Sequence, residues 1–426
     1  MPLRRARYVL LLLAPACLAI ASACGGSGSP DANPGAGTPE AGSEAASDGA
    51  RPTDDGGPPD AASAPDGGGG CVVDTALVTG SSDFYERPQL TLRADGSGAL
   101  VHAANGASTG ALVSGSYWTK LGAGALPSGA PARVSMQLHH DVAQGPGGVV
   151  LATATNTSEG VKLQWLDQNG AASRTESVAA SINNRLPAVT VAGSVTYVAW
   201  VLDSFTSGAA SDTLWVAGYD ATQQIFGPTK VTTPQTQNVQ AHLAAVSGTA
   251  YLVWSGGAAG SSTVSWAKVD AAGNVAPPVS ATAAGQAEGV AVRGDTLAFA
   301  WTKLKQLSPT IQTGVEIRLA NLTTGAALGT LSIGSSSTSK ERQPALVSHS
   351  KGFALAIASD DAAAGAVQYV ELSPALGIVR RVKVASSVRS SLTVSSSVDI
   401  AVNAAATYVA YANESGATFT ARITCP

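Results

Sequence analysis

Charge is scarce in this 426-residue chain: Asp, Glu, Lys and Arg together make up 13% of it, and aromatic residues another 5%. Cysteine occurs four times and methionine twice. No stretch after the N-terminus carries the 3.6-residue apolar period of an amphipathic helix, which excludes a helical bundle. Alanine is frequent, but it alternates with Val, Thr, Gly and Ser at period two, and pattern outranks propensity. There is no Gly-Lys-Ser/Thr phosphate loop, Cys-x-x-Cys pair, His-Glu-x-x-His or Gly-x-Ser-x-Gly elbow, so nucleotide and common hydrolase chemistries have nothing to stand on. The sequence points to no cofactor.

The N-terminus is of another kind. Arg4, Arg5 and Arg7 precede Tyr8–Ala14, a basic region followed by a short apolar one, which is an export signal too short to span a membrane comfortably. The segment Ile20-Ala21-Ser22-Ala23-Cys24-Gly25 resembles a bacterial lipoprotein signal, with Ala21 where that pattern more often has Leu. The resemblance implies cleavage after residue 23 and lipidation of Cys24, hence a bilayer as partner. Gly25 lacks the Asp that marks inner-membrane retention in some bacteria, which favours the outer membrane.

Residues 24–70 are Gly, Ser, Pro, Ala and Asp with almost no larger apolar side chain, a composition that cannot offset the entropy of ordering. They read as a tether. It holds Asp31, Glu40, Glu44, Asp48, Asp54, Asp55, Asp60 and Asp66 against Arg51 alone, which leaves residues 71–426 formally neutral. A neutral head has no electrostatic footprint for nucleic acid.

Across residues 71–426 one phrase recurs about seven times, with a period of roughly 46–57 residues that fits propeller blades. It is an apolar run, a turn, and a second apolar run that often ends in Trp. Trp200, Trp254, Trp301, Ile357 and Tyr411 each follow Val189, Leu243, Val290, Leu346 and Ile400 by eleven positions. Two weaker copies, around Leu90 and Val142, need a one-residue adjustment in the turn. Third runs such as Val161–Trp165 and Thr263–Ala267 and fourth runs such as Gly227–Val231 follow, giving four antiparallel strands per unit. The expected fold is all-β, a seven-bladed propeller with six or eight blades as the range.

The last copy supplies three strands before the chain ends, and Cys71–Thr79 is a spare strand ahead of the first. Pairing the two closes the ring and removes two exposed sheet edges. Cys71 and Cys425 then lie on neighbouring strands, and export carries them to an oxidising compartment, so a disulfide is expected.

Candidates for chemistry are few. His139, His140 and Asp141 are adjacent, but neighbours on a strand face opposite ways and cannot share one ion, so no metal site is expected. Arg185-Leu186-Pro187 and Arg342-Gln343-Pro344 resemble the Arg-x-Pro opening of a blade in sialidase-type propellers, and Arg87-Pro88 is similar but one residue out of phase. The resemblance implies that these arginines bind a substrate carboxylate, with Glu341 beside them as a possible ligand-binding acid. The Ser-x-Asp-x-Gly-x-x-Trp turns of that family are absent, as is a Tyr–Glu nucleophile pair. The expected function is therefore recognition: a tethered envelope module that binds a glycan, peptide or protein partner through its loops. A sialidase- or lyase-like enzyme and a non-catalytic envelope scaffold are the alternatives.

Overall fold

Alternation along each run produces seven four-stranded antiparallel sheets, each built from strands consecutive in sequence except the last. The computed structural model describes residues 70–426 apart from 80–86, 105–113, 138, 155–159, 181–183, 207–208, 234–238, 258–262, 283–284, 286, 307–311, 335–340, 360–366, 389–396 and 414–415. Cys24 and the tether up to residue 69 lie outside the described residues. The innermost strands of blades 1 to 7 are Gln89–Leu92, His139–Gln144, Asn184–Ala192, Gln240–Val246, Gly289–Arg293, Glu341–His349 and Val398–Val402.

The fourth strand of blade 7 comes from the other end of the chain. Val72–Thr79 pairs antiparallel with Thr418–Thr424, from Val72 opposite Thr424 to Thr79 opposite Thr418. Cys71 and Cys425 are joined by a disulfide across 354 residues of sequence. The protein is a seven-bladed β-propeller closed by strand exchange between its termini.

Hairpin register explains the constant spacing of the repeat. Val189 faces Val198, Leu243 faces Leu252, Val290 faces Phe299, Leu346 faces Leu355 and Ile400 faces Val409, nine positions on in every case. Val142 faces Leu151 at the same offset, so blade 2 needs no adjustment. Only blade 1 differs, with Leu90 opposite Leu100. Its turn, Arg93–Ser97, is longer and is held by Asp95, whose carboxylate accepts the Ser97 N–H at 2.9 Å.

The residue two past each of these partners wedges against the preceding blade. Trp200 packs with Val150, Ala152 and Leu163 of blade 2, Trp254 with Val201, Leu214 and Val216 of blade 3, and Trp301 with Val253 and Val264 of blade 4. Ile357 and Tyr411 do the same against blades 5 and 6. Blades 1 and 2 carry His102 and Thr153 here, both fully buried and with polar atoms that find no hydrogen-bond partner. Burial without a partner pushes the His102 imidazole down to about 3.

Each of the seven seams also carries a side-chain hydrogen bond. Asp399 Oδ2 accepts the Leu90 N–H across the closing seam at 2.7 Å, and Gln89 Nε2 donates to Asp141 Oδ1 at 2.9 Å. Asp141 Oδ2 accepts from Val189 N–H and Asp212 Oδ2 from Val239 N–H. His242 Nε2 meets Ala287 O, Thr302 Oγ1 accepts from Gln343 N–H, and Gln343 Oε1 accepts from Ser397 N–H. The physical need is that an innermost strand has one edge with no strand beside it, and its N–H groups require acceptors. Gly289 shows the variant without a side chain: a Cβ there would come within 2.9 Å of Leu346 N.

The closing-seam bond gives a direct prediction. Asp399→Ala bares a buried N–H and lowers stability by about 1–3 kcal/mol, whereas Asp399→Asn keeps an acceptor and stays within about 1 kcal/mol of the parent. Thermal melts of the two variants check this.

Candidate functional site

Innermost strands begin at the blade-to-blade connections, so the residues that open them gather at one end of the ring axis, the entry end. Arg87 stands two residues ahead of the innermost strand of blade 1. Its Nη1 donates to Glu288 O at 3.3 Å, 201 residues away on the approach to blade 5. In a closed ring a residue leading blade 1 reaches blade 5 only across the axis.

The side chains coupled to this guanidinium come from four other blades: Asp141 of blade 2, His242 of blade 4, Glu288 of blade 5 and Asp399 of blade 7. Gln89 of blade 1 joins them through its bond to Asp141. Asp141, His242 and Asp399 share one phase of the repeat, the position just before the apolar anchor, whose side chain faces the next blade. Glu288 lies one step earlier, and its oxygens accept the Thr302 N–H at 3.2 Å and the Thr302 hydroxyl at 2.9 Å. Thr302 in turn accepts from Gln343, which ties the acid to the seam between blades 5 and 6.

The acids keep part of their surface but sit deep enough for burial to dominate their protonation. Burial pushes Asp141 up to about 6, with the Asp399 charge adding to the rise and Arg87 and the Val189 N–H opposing it. Burial raises Glu288 to about 7 against the Thr302 bonds and Arg87. Asp399 is raised for the same reason. Burial and Arg87 together lower His242 to about 4, so near neutral pH its ring is uncharged and donates through Nε2 to Ala287 O.

A raised carboxyl stabilises the fold below its unfolded value, and that contribution is lost as pH climbs through the folded one. Glu288→Gln removes this dependence. Relative to the parent, the variant is therefore weakest at pH 4.5 and below and recovers by roughly 3 kcal/mol by pH 8. Taking the difference between the two proteins cancels the opposite slope contributed by His242 and His102. Paired melts across that range test it, and a constant difference contradicts the assignment.

The four residues singled out in the sequence part company here. In blades 3 and 6 the register slips between Arg185 and Ala188 and between Arg342 and Ala345, with Leu186 and Gln343 in the left-handed region at φ 50 and 54. This bulge absorbs the one residue by which Arg87 is out of phase. Arg185 faces Val201 and Arg342 faces Ala358, three ladder steps from the anchor pairs, the same three residues by which Arg87 precedes Leu90. The side chain of Arg185 lies outside the described residues. Arg342 is buried, 6% exposed. Glu341 faces its own blade, where Arg381 Nη2 pairs with it at 3.0 Å and Arg381 Nε donates to Gln368. His140 points at Ser116 of blade 1 while Asp141 reaches blade 3, the alternation expected of a strand.

Sequence reasoning missed Asp141 as an axial acid, and Asp399, Glu288, His242 and Gln89 as members of the site. A signal was present: the position before each anchor reads Gln89, Asp141, Ala188, His242, Gly289, Ala345 and Asp399, polar or small throughout. Among the described residues no group of three His, Cys, Asp or Glu is placed to hold a metal ion.

No family model and no curated protein matches the chain. Among solved structures it is similar to a subtype N10 neuraminidase-like protein of A/little yellow-shouldered bat/Guatemala/060/2010, at 10% identity and TM-score 0.45, over 68% of this chain and 94% of that one. A prolyl endopeptidase is similar at 12% identity and TM-score 0.43, over 81% of this chain and 47% of that one. The Dos1 propeller gives 10% identity and TM-score 0.42, over 76% and 75%. Such values carry nothing about chemistry.

Proposed function

We propose that this chain is a lipid-anchored, extracytoplasmic recognition head that binds a glycan, peptide or protein partner at the entry end of its propeller. The observation that carries this reading is the reach of Arg87 across the axis to Glu288 O, with Asp141, Asp399 and His242 coupled to it. Polar groups of five blades converge there, on a scaffold pinned at every seam. The lipoprotein-like leader and the acidic tether support an outer-membrane anchor at Cys24 with the head standing away from the bilayer. The fold alone says nothing of the ligand, since propellers serve unrelated tasks.

A glycan-active enzyme of sialidase or lyase type is the second reading. Its specific support is the pair of bulges that bring Arg185 and Arg342 into phase with Arg87. A glycan array and an envelope-fraction pull-down with the exported chain, run beside Glu288→Gln, separate the readings. Recognition predicts a bound ligand that the variant loses. A partner held equally by both proteins favours a scaffold, and sugar release from a sialoside probe favours the enzyme.

A further inference from the structure

Among the described residues, three axial acids share the charge of Arg87. Arg87 is the cation whose charge reaches Asp141, Asp399 and Glu288, and among the described residues none of the three acids forms a direct ion pair. Arg87 donates instead to a backbone carbonyl. The N–H groups that hold the acids come from Gln89, Val189, Leu90 and Thr302, and a carboxylate oxygen can accept a second bond beyond each of these.

Gln89 supplies an independent sign. It is 5% exposed, its Nε2 is fixed on Asp141 Oδ1, and its Oε1 is buried with no hydrogen-bond partner. A buried amide oxygen left bare beside an acid calls for a donor. His242 adds to the same side: with Nε2 donating to Ala287 O, the neutral ring offers Nδ1 as an acceptor.

A metal ion does not suit this arrangement. Calcium needs oxygens converging at about 2.3–2.6 Å, and no described group of three acids or histidines converges so. An ammonium group carries three N–H donors that reach separate acceptors at about 2.8 Å, and dispersed acids attract it.

We infer that the entry end of the axis is a receptor for a protonated primary amine, held among Asp141, Asp399, Glu288 and the Gln89 carbonyl, with Arg87 as the resident cation it competes against. This rests on the recognition reading and gives it a ligand class. A lysine side chain and a free polyamine share the chemistry, and the accessible surface the acids retain gives either a way in.

The test is calorimetric titration of the exported chain with an acetyl-lysine-amide peptide, its Nζ-acetylated form, spermidine and calcium, at pH 8 and pH 5. The lysyl peptide or spermidine binds at pH 8, and Nζ-acetylation abolishes binding of the peptide. Affinity falls at least about tenfold at pH 5, as Asp141 and Glu288 take up protons beside Arg87. Glu288→Gln weakens binding about tenfold, while Arg87→Met tightens it by a similar factor because a competing charge is gone. Weakening by Arg87→Met, stoichiometric calcium binding, or no amine binding at pH 8 overturns the inference. Should Arg87→Met fail to fold, Glu288→Gln and the pH dependence of the parent carry the same decision. A carboxylate sugar bound through Arg87 sinks the amine and leaves recognition standing, whereas no ligand from array or pull-down sinks recognition itself.

Discussion

Replacing Cys71 and Cys425 with alanine lowers the stability of the folded chain by roughly 5 kcal/mol, an upper figure that corresponds to a fall of about 5–8 °C in the unfolding midpoint for a domain of this size. The bond closes almost the whole folded chain into one loop, 354 residues long in sequence, so its removal returns a large entropy to the unfolded ensemble. The native side gives the same direction. Val72–Thr79 is the outermost strand of blade 7, with Val72 56% and Leu77 58% exposed, so little burial of its own holds it. The ladder to Thr418–Thr424 and the disulfide beside Val73 are what fix it. In the double variant, amide exchange should therefore rise first in Val72–Thr79, before any other blade loosens. Uniform exchange across all seven blades would mean that the closing strand is not the weak point.

Trp254→Ala carries the next largest effect, a loss of about 3–5 kcal/mol. The indole is fully buried and fills the seam between blades 3 and 4, against Val201, Leu214 and Val216. Blade 4 answers with small residues such as Ala241 and Ala250 around it, which cannot collapse into the space. Thr153 occupies the same phase in blade 2, and its bare, buried hydroxyl makes Thr153→Val neutral or stabilising. Opposite signs at one position of the repeat, read by urea midpoints, tie the effect to the seam rather than to the strand. Equal losses at both would mean that the wedge is not what matters.

What could be read from the sequence follows from how information is stored in a ring. Strand alternation and hairpin register are local, and five copies held the spacing from Val189 to Trp200 that fixes Val189 opposite Val198. Closure was legible because a chain with three strands at one end and one at the other, and a Cys in each, has one economical way to finish. The axial site was not legible for a reason of the same kind. In a propeller, residues at equivalent phases of distant blades become neighbours, so Arg87 and Glu288 meet across 201 residues with no local pattern to announce it. The column before the anchors mixes Gln, Asp, Ala, His and Gly, which looks like noise until the next blade is placed beside it. The Arg-x-Pro motif was visible, but the bulges at Leu186 and Gln343 that bring it into step with Arg87 depend on a left-handed turn that neither side chain favours.

The surplus of carboxylates around Arg87 is the claim on which the functional reading turns, and a carboxyl-carbon NMR titration of the exported chain tests it most directly. Two resonances, assigned through Asp141→Asn and Glu288→Gln, should titrate near 6 and near 7, and both should move higher in Arg87→Met. Ordinary titration of both near 4, unmoved by the loss of Arg87, would contradict an acid-rich axis.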